Sequence, residues 1–290
     1  MTSLQLPASL VSVAWLQQHL DHDDLLLFDA SWHMPATGRD GFAEWQQERI
    51  GGARFFDFDG RICDLQSSLP HMLPDADGFT RELQRLGLNQ RSCVVVYDSM
   101  GMFSSPRAWW MLRVMGCANV ALLDGGLPAW KAQGLATEGL ATESGTDEPA
   151  YPLGDFRARL AARQVADAAA VLRALEDERI CVLDARPEPR FNGTADEPRA
   201  GLRRGHMPGA KNLPFAQLFD QGLLRPEAEL ALLFEPLLDK SSAAICSCGS
   251  GVTACILAFA LHQIGFNQVA VYDASWSEWG LPGELPVVVD

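Results

Sequence analysis

The feature that most constrains this 290-residue chain is that it is written twice. Val94-Val95-Val96-Tyr97 pairs with Ala243-Ala244-Ile245-Cys246, Gly116 with Gly265, Leu122-Leu123-Asp124 with Val271-Tyr272-Asp273, and Trp130 with Trp279, all at one offset of 149 residues. Earlier landmarks repeat as well. Leu25-Leu26-Leu27-Phe28-Asp29-Ala30 returns as Ile180-Cys181-Val182-Leu183-Asp184-Ala185, and Ile50-Gly51-Gly52-Ala53 as Met207-Pro208-Gly209-Ala210. Self-similarity over such a span means a duplicated domain, and 290 residues suffice for two cores. The expected domains are 1–144 and 145–290. Residues 134–155, rich in Gly, Thr, Glu and Pro and without apolar periodicity, read as a solvated connector.

Within each copy, short continuous apolar runs alternate with helical segments. That is the pattern of a parallel sheet covered on both faces, so the fold class is α/β. Residues 103–115 and 253–264 carry apolar side chains at helical spacing, directly follow a strand, and stop at Gly116 and Gly265.

Composition narrows the function. With 48% hydrophobic and 21% charged residues the chain is a folded globular protein. A net charge of −14 without a basic stripe excludes nucleic acid as a partner, because binding a polyanion relies on Lys and Arg. Residues 1–12 lack a cationic stretch leading into a long apolar run, and no run of about 18 apolar residues occurs, so a cytoplasmic protein outside the membrane is expected. Seven cysteines without a C-x-x-C spacing indicate reduced thiols rather than a disulfide framework.

The segment with chemistry is Ser247-Cys248-Gly249-Ser250-Gly251-Val252-Thr253, between an apolar strand and a helix. Gly249 and Gly251 permit a tight loop whose N–H groups turn inward, and the helix N-terminus adds partial positive charge; together they make a cradle for an anion. A thiol placed there ionises more easily and becomes a nucleophile. A free cysteine is often just a small buried hydrophobe, and Cys255, at helical spacing, reads that way; the Gly-x-Gly flank at a strand–helix junction separates Cys248 from that class. At the 149 offset the first copy holds Ser99, which has no evident base, so the first domain is expected to be non-catalytic. A Cys-x5-Arg phosphatase would need arginine where Ala254 stands. Cys246 and Cys248 alone are a weak metal or redox pair, so no metal and no organic cofactor are expected.

The duplicated unit with this loop, together with Asp29-Ala30-Ser31-Trp32, His71-Met72-Leu73-Pro74, Ser105-Pro106-Arg107, Asp124-Gly125-Gly126-Leu127 and Gly205-His206-Met207-Pro208-Gly209-Ala210, resembles the tandem-rhodanese sulfurtransferases, and within them the 3-mercaptopyruvate sulfurtransferases, over essentially the whole chain. The resemblance implies two rhodanese-like domains, each a parallel sheet flanked by helices, and sulfur transfer through a persulfide on Cys248. It implies a substrate loop of Gly249, Ser250, Gly251, Val252 and Thr253, with Arg190 and Arg199 on the donor's carboxylate and carbonyl. It also implies a relay of Ser250, His71 and Asp59, for which Asp57 or Asp64 are alternatives to Asp59. Thiosulfate-using relatives usually carry basic residues in this loop; here there are none, so a monoanionic donor, 3-mercaptopyruvate, fits better than thiosulfate. The implied acceptor is cyanide, a small thiol or a thioredoxin-like protein. Arg186 reads as a structural ion-pair residue and His206 as part of a turn. The rival functions are a thiosulfate sulfurtransferase and a non-enzymatic persulfide relay module.

Overall fold

Two five-stranded parallel sheets account for the doubled sequence. The computed structural model describes residues 4–140, 149–238 and 241–290. They gather into two compact units, one up to Leu65 and over Leu73–Leu160, the other of Gln66–Met72 and Ala161–Asp290.

In the first unit, β1 (Leu10–Val11), β2 (Leu25–Asp29), β3 (Arg54–Phe55), β4 (Cys93–Tyr97) and β5 (Val120–Leu123) lie in the order β1-β5-β4-β2-β3. The central β4 is apolar throughout and wholly buried, as a strand covered on both faces must be. The helix Ser105–Val114 follows, buried at every residue but Arg113. Pro106 sits in its first turn, where a missing N–H costs nothing. Gly116, at φ 93°, ends it.

The second unit repeats this plan with β6 (Val165–Ala166), β7 (Ile180–Asp184), β8 (Lys211–Asn212), β11 (Ala243–Ser247) and β12 (Val269–Tyr272), in the order β6-β12-β11-β7-β8. A small antiparallel hairpin, β9 (Phe219–Asp220) with β10 (Leu223–Leu224), is inserted before β11. The helix Ala254–Gln263 is buried from Ala254 to Leu261, and Gly265 turns the chain at φ 77°. Tyr272, Trp276 and Trp279 pack with Val182 and Ile245 into the core. Leu69 and Met72 pack on that core too, so Gln66–Met72, written in the first copy, belongs to the second unit.

The boundary expected near residue 145 lies outside the described residues. On its C-terminal side the connector is docked rather than solvated. Gly154 N–H donates to Gln84 O at 2.9 Å, Phe156 N–H to Leu88 O at 3.1 Å, and Arg159 N–H to Met115 O at 2.9 Å. Phe156 is 1% exposed, and burying one phenyl ring stabilises by about 2 kcal/mol. Gly154 is there for contact, since a Cβ would meet Leu88 O at 1.9 Å. One aromatic anchor among polar residues has no periodicity, so this docking is silent in the hydropathy pattern.

Each copy ends its second strand in aspartate. Asp184 is paired with Arg186, whereas Asp29 has Ser31 two residues on, whose N–H and hydroxyl both donate to it. With no cation paired to it among the described residues, burial pushes the Asp29 carboxyl up from 3.8 to about 7. A folded-state value above the unfolded one means the stabilisation is fully present below pH 3.8 and is lost as pH rises through about 7. Asp29→Asn does not titrate, so its stability relative to wild type should climb between pH 5 and pH 8, by on the order of 4 kcal/mol at most. Thermal melts at several pH values check this; a pH-independent difference contradicts it.

Candidate active site

Ser247 pairs with Asp184 at the end of the sheet register, so the chain leaves β11 at the next residue, at the carboxyl edge where open α/β sheets bind ligands. That residue is Cys248. Residues 248–253 form the loop, and the helix Ala254–Gln263 begins immediately after it. Gly251, at φ 75°, takes a conformation that side chains disfavour. The N–H groups of Gly249, Ser250, Val252 and Thr253 meet no acceptor among the described residues. These amides stand at the head of a ten-residue helix, where donors without acceptors and the helix dipole favour negative charge.

Cys248 is 2% exposed. Its N–H donates to Ser275 Oγ at 3.0 Å, and that hydroxyl donates to Tyr272 O at 2.8 Å and lies 4.0 Å from Cys248 Sγ. Ser275 has φ 52°. Its counterpart 149 residues earlier, Gly126, has φ 55°. A serine in a glycine conformation stores about 1–3 kcal/mol of strain, a mark of functional positions. The repeat alignment held the signal, a Ser opposite a Gly, and sequence reasoning passed over it. Cys246 is fully buried, and burial pushes its thiol well up. Cys255 packs within the unit, its Sγ donating to Gly251 O at 3.2 Å.

Arg190, in the helical turn Glu188–Phe191, lays its guanidinium against the loop: a Cβ on Gly249 would sit 2.9 Å from Nη2. Glu197, its side chain 2% exposed, accepts from Arg190 Nε at 3.2 Å and from Nη2, and from Arg186 Nη1 at 2.8 Å. Arg186 is wholly buried, bound to Asp184 and Gly205 O with its guanidinium 4.1 Å from the Trp276 ring centroid, which makes it the structural cation anticipated. Sequence reasoning assigns no role to Glu197.

Arg199 Nη2 lies 3.3 Å from His71 Nε2. A guanidinium can only donate, so Nε2 is the accepting atom of this contact. His71 is buried at φ 61°. Both residues belong to the second unit, as do Ser250, 4% exposed in the loop, and Cys248. Asp59 belongs to the first unit, where it is exposed and accepts Trp32 Nε1 at 3.1 Å. Of its alternatives, Asp57 caps its own turn, accepting from Asp59 N–H at 3.2 Å and Gly60 N–H at 2.7 Å, and Asp64 is exposed. His206 is not a turn residue. It bridges to Val288, stacks on Phe191, and donates from Nδ1 to Phe191 O at 2.9 Å.

The first unit corrects one assignment. Asp29 pairs with Tyr97 where Asp184 pairs with Ser247, so the strands align at an offset of 150 and Asp98, not Ser99, stands where Cys248 does. Leu127 N–H donates to Asp98 O, and Trp276 N–H to Cys248 O, both at 3.0 Å. The helices resume at 149 because the first loop, residues 98–104, is one residue longer than 248–253. Counting through that extra residue made Ser99 the match. The buried Asp98 carboxylate accepts four amides: Met100 at 2.8 Å and Met102 at 3.2 Å on Oδ1, Ser104 at 3.0 Å and Ser105 at 2.8 Å on Oδ2. The first loop thus holds an anion of its own at the nucleophile's place.

The Rhodanese-like domain family matches residues 12–133 and 167–281. The chain is similar to the thiosulfate/3-mercaptopyruvate sulfurtransferase 1, mitochondrial, of Arabidopsis thaliana, 42% identical over 99% of this chain and 79% of that one. It is similar to the 3-mercaptopyruvate sulfurtransferase of Escherichia coli (strain K12), 40% identical over 96% of each, and to that of Homo sapiens, 40% identical over 96% of this chain and 94% of that one. The crystal structure of SseA from Escherichia coli, a 3-mercaptopyruvate sulfotransferase, superposes with a TM-score of 0.82 at 37% identity, covering 93% of this chain and 100% of that one.

Proposed function

This chain belongs to the rhodanese-like sulfurtransferases, and on that premise we propose that it moves sulfur from 3-mercaptopyruvate through a persulfide on Cys248 to a thiol or cyanide acceptor, releasing pyruvate. The observation that carries the reading is the pair of equivalent loops: one cradles its own carboxylate, and the other puts a thiol in the same place beside the amides of Gly249, Ser250, Val252 and Thr253, which meet no acceptor among the described residues.

The Cys248 thiolate attacks the donor's sulfur. The S–S bond forms as the C–S bond breaks, and the electron pair goes to the donor carbon as the pyruvate enolate, which takes up a proton to give pyruvate. Arg190 and Arg199 hold the carboxylate and carbonyl and stabilise the enolate charge as it develops. Gly249, Ser250, Gly251, Val252 and Thr253 hold the outer sulfur through their amides. Ser250, His71 and Asp59 serve as the relay. An acceptor nucleophile then attacks the outer sulfur and restores the Cys248 thiolate, giving ping-pong kinetics. The acceptor is a small thiol, cyanide or a thioredoxin-like dithiol protein.

A donor panel assayed for pyruvate tests the reading. Arg190→Ala and Arg199→Ala should each lower kcat/KM for 3-mercaptopyruvate on the order of 100-fold, and use of thiosulfate by less than about tenfold. Equal losses for both donors would remove the arginines from donor selection. Thiosulfate is the second donor to test, because the Arabidopsis relative's name carries both. Absence of pyruvate with sulfur still reaching Cys248 from a partner protein would favour the relay-module reading instead. Among the described residues no helix is long and apolar enough to cross a membrane. A cytoplasmic location is part of the proposal, and cell fractionation tests it against the mitochondrial setting in one relative's name.

A further inference from the structure

We propose that the Ser275 hydroxyl holds the charge that returns to Cys248 Sγ when the outer sulfur leaves, and so accelerates the half of the cycle that discharges the persulfide. The inference rests on the reading of Cys248 as the persulfide carrier and adds a group to that site.

Three hydrogen bonds tie the Cys248 loop to the turn after β12. Cys248 N–H donates to Ser275 Oγ at 3.0 Å, Trp276 N–H to Cys248 O at 3.0 Å, and Ser277 N–H to Gly249 O at 2.8 Å. Ser275 is fully buried, and its one hydroxyl proton has two acceptors to choose between, Tyr272 O at 2.8 Å and Cys248 Sγ at 4.0 Å. A neutral thiol is a weak acceptor, so the carbonyl holds the proton. A thiolate is a strong one, and a charge-assisted bond outcompetes a neutral one. Rotation about Cβ–Oγ carries the proton across, and the long resting distance shortens as charge arrives, as hydrogen bonds to reacting groups do.

The turn itself has no need of a serine. Ser275 stands at φ 52° and ψ −144°, which suits glycine, and the corresponding turn of the first unit uses Gly126 at φ 55°. A Cβ on Gly126 would meet Asp98 O at 2.5 Å, so the first loop leaves no room for a side chain. The second loop makes that room and fills it with a hydroxyl beside the nucleophile. Charge flow decides which half-reaction gains. In the acceptor step the acceptor's electron pair bonds to the outer sulfur, the S–S bond breaks, and its pair stays on Sγ. The hydrogen bond therefore strengthens toward the transition state and lowers the barrier. In the donor step the Sγ charge flows into the new S–S bond, and the same hydrogen bond weakens.

The test measures kcat/KM for cyanide and for 3-mercaptopyruvate in wild type, Ser275→Ala and Ser275→Gly. Under ping-pong kinetics the first reports the acceptor step and the second the donor step. Both variants lack the hydroxyl, and Ser275→Gly also suits the backbone, which keeps the turn intact. In each, kcat/KM for cyanide should fall on the order of 30-fold. The value for 3-mercaptopyruvate should stay within about fivefold of wild type, because a less stabilised thiolate is also a better nucleophile. A residue that merely shaped the loop would depress both steps together, so a loss for cyanide no larger than that for 3-mercaptopyruvate overturns the proposal. A loss in Ser275→Ala that Ser275→Gly restores overturns it as well, since the backbone and not the hydroxyl would then be responsible. Should Ser275→Ala fail to fold, Ser275→Gly decides alone. A wild type that gains no sulfur on Cys248 from 3-mercaptopyruvate defeats the assigned function and this inference with it; a wild type that does, while Ser275→Gly discharges to cyanide at the wild-type rate, defeats only the role of Ser275.

Discussion

Cys248→Ser should abolish sulfur transfer, lowering kcat with either donor by roughly a thousandfold or more, while the melting temperature barely moves. A hydroxyl fills nearly the thiol's volume and disturbs none of the backbone bonds at this position, namely Cys248 N–H to Ser275 Oγ and Trp276 N–H to Cys248 O. It cannot form a persulfide. In the wild-type protein, brief exposure to 3-mercaptopyruvate should add one sulfur atom to the peptide spanning the loop. Fragmentation should place that sulfur on Cys248 and not on Cys246 or Cys255, and cyanide should remove it. Cys246 makes the sharper control, because burial holds its thiol well above the ordinary range. Sulfur found on Cys246, or an active Cys248→Ser protein, would end the assignment.

The largest effect on stability is expected in the other copy. Asp98→Ala removes one carboxylate and strands up to four amides in a loop where Asp98 itself is wholly buried. Unmet buried donors cost about 1–3 kcal/mol each, partly recovered where water enters. A net loss of about 3–5 kcal/mol follows, a drop on the order of 10 °C in apparent melting temperature for a unit of this size. Asp98→Asn keeps one acceptor oxygen and should recover about half. Differential scanning calorimetry with activity assays separates the two copies: the first loop's anion serves the fold and the second loop's serves chemistry, so Asp98→Ala should melt early and Cys248→Ser should not. An Asp98→Ala protein as stable as wild type would show that its amides are satisfied some other way.

Much of this was legible in the residues. The doubled pattern, the parallel α/β sheets and the helices stopping at Gly116 and Gly265 all follow from periodicities that local chemistry enforces, because a strand buried on both faces must be continuously apolar and a helix must end where its backbone can turn. The Cys-Gly-Ser-Gly-Val-Thr loop was visible for the same reason, since its glycines and its place after a strand are written in order. What sequence could not supply was anything depending on which residues face each other. One extra residue in the first loop slides the strands to an offset of 150 and turns the nucleophile's counterpart from Ser99 into Asp98, a change that only sheet pairing shows. Phe156 docks a stretch that hydropathy reads as linker, and Leu69 and Met72 give their core-facing side chains to the second copy. Glu197 and Ser275 gain meaning only from partners 7 and 27 residues away, Arg190 and Cys248. Periodicity is a property of neighbours along the chain, whereas charge balance and hydrogen-bond satisfaction are properties of neighbours in space, and those the tertiary structure alone decides.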